Sequence, residues 1–105
     1  MPFAHALTEL SGISSPTLGD EHALAALAIA AAGAIGLTPH GPPVTRAGPQ
    51  GIAVSLLGHG GHVVLHARPG SGACLVDVVT PNPTPPARAL EVIARRLGVT
   101  APAHP

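Results

Sequence analysis

Residues 49–80 read PQGIAVSLLGHGGHVVLHARPGSGACLVDVVT, and the fold turns on how this stretch is parsed. Three apolar runs with strand character, 52–57, 62–67 and 73–79, follow one another across short glycine-rich joints. The joints at 58–61 and 68–72, the second carrying Pro69 and two glycines, are too short for a crossover, so the three strands should be antiparallel neighbours. Alternate residues on a strand share a face, which sets His62 and His66 on one side and Val63 and Leu65 on the other. A symmetric second turn would bring Cys74 opposite His66, where an imidazole could lower the thiol pKa; a slip of one residue sends Cys74 to the other face.

Upstream, Pro39, Pro42 and Pro43 lack amide donors, so a strand there must be an edge or start late, around 44–46. Residues 21–34 form a helix, with Asp20 or Thr17 to cap it and Gly33 and Gly36 to stop it. Leu24, Leu27, Ile29 and Ile35 are set among alanines nearly all round, a pattern that predicts burial on more than one side. Residues 11–19 read as a loop, and the alternation over 3–10 reads as a first strand.

Downstream, 81–86 is a stiff proline connector. Thr84 is placed to cap a second helix with Pro85 at its first position. Ala89, Leu90, Ile93 and Leu97 make its apolar stripe, Glu91 and Arg95 are spaced to pair, and Gly98 ends it before a frayed tail. Strand, helix, three or four strands and a helix make a two-layer α+β sandwich, an antiparallel sheet with both helices on one face.

The 105 residues suit one domain burying roughly 65% of its unfolded surface. Charged residues are 10% of the chain and cancel, so no basic surface argues for nucleic acid, no acidic run argues for a metal or histone partner, and phosphate binding by bulk charge is not expected; no membrane partner is expected either. A single cysteine fits a reducing compartment, the start Met-Pro-Phe-Ala-His lacks a signal peptide's positive region, and the apolar run 23–37 is short for a bilayer span; the expected location is cytoplasmic. With 46% apolar and 1% aromatic residues, Ala, Gly and Pro dominate. Codon bias explains that composition, but small side chains also let subunits approach closely, and the commonest closed assembly is a two-fold homodimer.

His59, His62 and His66 suggest a metal cluster, but on a strand His62 and His66 lie roughly 13 Å apart, too far to share one ion. No metal is expected. No Gly-x-Ser-x-Gly elbow or phosphate-cradling loop is present.

Three segments, Pro49-x-Gly51, His62-Val-Val-Leu-His66-x-x-Pro69 and Leu75-Val-Asp77-Val-Val-Thr80, resemble the core of the bacterial-type S-adenosylmethionine decarboxylases. That family's pattern is Pro-x-Gly before a strand leading to Glu-Ser-His, three further residues, His-Thr-x-Pro-Glu, and later Asp-x-Phe-Thr-Cys-Gly. The match needs no gap from 49 to 80, and His5, the alanine-rich helix and the closing helix also fall where the family has theirs. The resemblance implies a two-layer α+β domain, usually dimeric, with active sites near the subunit interface. It implies chemistry resting on a serine at which the chain cleaves itself to leave a pyruvoyl group. It also points to His5, His59, Gly60, Gly61 and His62 as ligand-binding positions, and to His66 as the self-processing histidine.

The departures carry most of the functional expectation. By this resemblance Gly61 stands where the serine belongs, Gly60 where the preceding glutamate belongs and Pro81 where the catalytic cysteine belongs. A glycine has no hydroxyl to attack the preceding carbonyl, so no pyruvoyl cofactor is expected. One expectation is a catalytically dead homologue related to polyamine biosynthesis, a ligand-binding or regulatory subunit for S-adenosylmethionine or a polyamine. Another is a repurposed, cofactor-free enzyme using His62, His66 or Cys74 as base or nucleophile on S-adenosylmethionine, whose sulfonium is already activated. A third is a pure interaction domain.

Overall fold

A computed structural model describes residues 2–101. Five strands, β1 (Phe3–Leu10), β2 (Val44–Gly48), β3 (Gly51–Gly58), β4 (Gly61–Arg68) and β5 (Ala73–Pro81), form one antiparallel sheet in the order β1-β5-β4-β3-β2. Helices α2 (Glu21–Ala34) and α3 (Ala87–Leu97) pack against each other and against the sheet, α2 on β3 and β4, α3 on β1 and β5. No helix among the described residues is long and apolar enough to cross a membrane.

The core forms because the inward residues of the middle strands are aliphatic on every second position. Leu56, Val63 and Val78 make one cross-strand row, Val54, Leu65 and Val76 the next, and all six are at most 1% exposed. Each such side chain contributes about 1.5–3 kcal/mol by leaving water. Leu24, Leu27, Ala28, Ala31 and Ala32 of α2 and Leu90, Ile93, Ala94 and Leu97 of α3 close the layer.

Several local expectations are corrected. The segment before α2 is not all loop: Ser15–Leu18 forms a short helix, α1, because the Ser14 hydroxyl accepts from the Thr17 amide and Pro16 suits the first turn. Asp20 rather than Thr17 caps α2, accepting from the Ala23 amide at 3.0 Å. That helix buries one stripe only, and Ile29 on its outer side is 53% exposed.

Thr84 does not cap α3, which begins at Ala87; the Thr84 carbonyl instead accepts from the buried Thr80 hydroxyl at 2.6 Å. Glu91 and Arg95 make no ion pair. Strand β2 runs on to Gly48, and in the expected tail Val99 and Ala101 pack against the core, while 102–105 lie outside the described residues.

The β4–β5 joint matters most. Pro69–Ser71 makes a turn of 3-10 helix and Gly72 follows with a positive φ of 63°, so Arg68 pairs with Ala73 across four residues. The turn is therefore not symmetric: His66 faces Leu75, and Cys74 pairs with Ala67 on the helix side.

Candidate functional site

Since both helices lie on one side, the other face of the sheet is open. Its residues follow from the register. His5, Val79, His62 and Leu57 form one cross-strand row; Leu7, Asp77, Val64, Ser55 and Val44 form the next; Glu9, Leu75, His66, Ala53 and Arg46 form the third. Five of the six exposed large apolar residues among those described stand here: Phe3, Leu7, Val44, Leu57 and Leu75.

Within this face one polar cluster is assembled. Both His5 and His62 pair with Val79 from opposite sides, and Asp77 lies one row along between them. The Asp77 carboxylate is 2.5 Å from His5 Nε2 through Oδ1 and 3.5 Å from His62 Nε2 through Oδ2. His5 donates a hydrogen bond; His62 Nε2 is shielded from solvent yet finds no hydrogen-bond partner among the described residues. A buried nitrogen left in this way costs about 1–3 kcal/mol, which a ligand acceptor or donor could recover.

The structure divides the sequence-predicted positions. His5 and His62 come together. His66 shares their face but lies two pairs further along β4, beside Ala53 and Leu75. His59 sits on the β3–β4 turn and stacks on His40 with ring centroids 4.4 Å apart, and it takes no part in the contacts of the cluster. Cys74 is fully buried in the core, and burial pushes its thiol up to about 11, only partly opposed by the backbone hydrogen bond at His66. That is the reverse of the activation expected from a facing imidazole, and the reason is the longer turn.

Gly60 and Gly61 end the hairpin, where Gly61 pairs with Gly58. At Gly61 a Cβ would come within 2.1 Å of the Val79 carbonyl oxygen and 3.0 Å of its carbon, so β5 backbone fills the space any side chain would need.

Asp77 is the group the sequence alone did not single out as a site residue. Its partner His5 is 72 residues away, and nothing local shows that β1 lies beside β5. Among the described residues no group of three His, Cys, Asp or Glu is arranged to hold a metal ion.

Fold and site together define a two-layer α+β domain with a histidine–carboxylate cluster on the uncovered face of its sheet. The sequence model of the S-adenosylmethionine decarboxylase family matches residues 4–103, and the chain belongs to that family. The crystal structure of the adenosylmethionine decarboxylase of Aquifex aeolicus VF5 shares this fold, with a TM-score of 0.82 at 22% identity over 92% of this chain and 81% of that one. No curated protein matches the sequence significantly.

Proposed function

We propose that this chain is a family member that forms no pyruvoyl group and does not decarboxylate, and that it acts as a cytoplasmic ligand-binding or regulatory homologue built as a single domain. The observation that supports the reading is at Gly61, which the motif resemblance sets in line with the family's self-cleaving serine. It lacks a hydroxyl, and the Val79 carbonyl lies 2.1 Å from where a Cβ would stand. Gly60 and Pro81 replace the glutamate and cysteine at the two other positions where the chemistry would need a proton carrier.

The open face offers what a retained ligand would use. Asp77 supplies a carboxylate for a cationic sulfonium or polyamine, and His62 Nε2 awaits a hydrogen-bond partner. A second copy of the chain covers the apolar rows around Leu7, Val44 and Leu57, a patch of the kind that marks subunit contacts. Leu57→Asp is then expected to shift the protein from dimer to monomer in analytical ultracentrifugation.

Incubation with S-adenosylmethionine or spermidine, followed by calorimetry and product analysis, tests the reading. Binding with no release of carbon dioxide is expected, weakened by Asp77→Asn; release of carbon dioxide from S-adenosylmethionine would overturn it. The His5–Asp77–His62 cluster favours one second reading, a cofactor-free enzyme in which the Asp77-held imidazoles move a proton. In that case a product other than decarboxylated S-adenosylmethionine appears and is lost in His62→Ala.

A further inference from the structure

At the far end of β4 from His62 the open face changes character. Two overlapping grooves, of about 440 and 190 Å³, run over the strand ends and share Gln50, Gly51 and Arg68 in their walls. From this geometry we infer that they form a binding site for an oxyanion, the phosphoryl or carboxylate group of a small molecule, held by Arg46, Arg68 and His66. The inference is independent of the proposed function, which concerns the other end of the strand.

The register builds the site. Arg46, Ala53 and His66 form one cross-strand segment on β2, β3 and β4, so the arginine and the imidazole stand two strands, about 10 Å, apart at the backbone with only a methyl group between them. Arg68 follows His66 by two residues on the same face, beside Gly51. Gly51 is glycine for a backbone reason: its φ is 133° and a Cβ would meet the Ala67 carbonyl oxygen at 2.1 Å. The consequence is a trough floored by a glycine and an alanine, with cationic or titratable side chains on both walls.

Charge points the same way. No aspartate or glutamate lines either groove, while two of the chain's five arginines do. Glu9, the acid on the same cross-strand row, lies on the opposite edge strand. Arg68 Nη2 donates to Gln50 Oε1 at 2.7 Å and Arg46 Nη1 to the Thr45 carbonyl at 3.0 Å, so each guanidinium is anchored through one N–H and keeps others for a ligand. Planar guanidinium forks match carboxylate and phosphate oxygens, and two acting together give orientation as well as affinity. None of the exposed apolar residues of this face lines either groove, although Leu75 pairs with His66 in the same cross-strand row.

The test is titration of the whole protein with pyrophosphate and, separately, with citrate, at ionic strength held constant with chloride, followed by calorimetry and amide chemical shifts. One saturable site per chain is expected, with shifts centred on Gln50, Gly51 and Arg68. The anion that binds more tightly assigns the group as phosphoryl or carboxylate. Arg46→Gln and Arg68→Gln should each weaken binding about tenfold, the double variant should lose it, and Ala53→Leu should block it with both arginines in place. Arg95→Gln, on α3, should change nothing. Equal losses in Arg95→Gln, unchanged binding in the double variant, or no saturable binding of either anion at millimolar concentration would each overturn the site. Thermal midpoints of all variants, expected near the parent value, separate lost binding from lost folding.

Discussion

On the helix-covered side of β4, Val63, Leu65 and Ala67 are at most 1% exposed, paired with Leu56, Val54 and Ile52 on β3 and with Val78, Val76 and Cys74 on β5; on the open side, the residues between them are Val64 and His66, with His62 just before. One backbone thus presents a dry face that carries stability and a mixed face that carries polar chemistry. The difference shows why stability and function are separable here: alternation sends consecutive residues to different tasks. Substitutions one position apart should therefore have very different consequences.

The sharpest test of that separation is Leu65→Ala against His66→Ala. The first empties a fully buried site and should cost about 2–5 kcal/mol in urea unfolding; the second should stay within about 0.5 kcal/mol. Similar costs would mean that the two faces are not distinct.

Gly61→Ser comes next, because it pushes a side chain into the β5 backbone. A destabilisation of about 1–3 kcal/mol is expected, with the chain still uncut. A variant as stable as the parent would show that β5 yields easily at this point.

Cys74 probes the dry face by pH. Its thiol is raised from 9.0 to about 11 in the folded chain, so the neutral form favours folding below pH 9, and that contribution is lost as pH rises from 9 through 11. Unfolding free energy should fall by at most about 2 kcal/mol over that window, and Cys74→Ala should flatten the slope. Alkylation of the native protein at pH 8 should be slow and become fast on unfolding. Rapid native labelling would place the thiol in solvent.

The smallest expected effect is on the open face. Asp77→Asn removes a carboxylate that is 33% exposed, and its pair with His5 should be worth under about 1 kcal/mol. Imidazole signals of His5 and His62 should move together, while that of His59, stacked on His40, should stay in place. Movement of His5 alone would separate His62 from the cluster.

Much of this was legible in residues 49–80, since alternation and short glycine-bearing joints specify antiparallel neighbours and assign Val63 and Leu65 to the core. Residues 3–10 and 21–34 were equally plain, the first by period two and the second by its capping acid. The short helix at Ser15–Leu18 was not, because four residues around a proline carry no apolar period. Cys74 was misplaced by a single residue, which the 3-10 turn and Gly72 add and no alternation pattern reports. The meeting of His5 with Asp77 depends on β1 joining the sheet beside β5, a non-local pairing that leaves no local signature. Arg46 and Arg68 likewise come to line one groove only once three strands are in register.

The β3–β4 hairpin stays covalently whole at Gly61 on this account, which the intact mass of the freshly purified protein tests directly. A single species at the mass of the full 105-residue chain, 10.3 kDa, unchanged by borohydride, is the predicted result. Two fragments parted at the Gly60–Gly61 bond, the second starting with a reducible keto-acyl group, would contradict it.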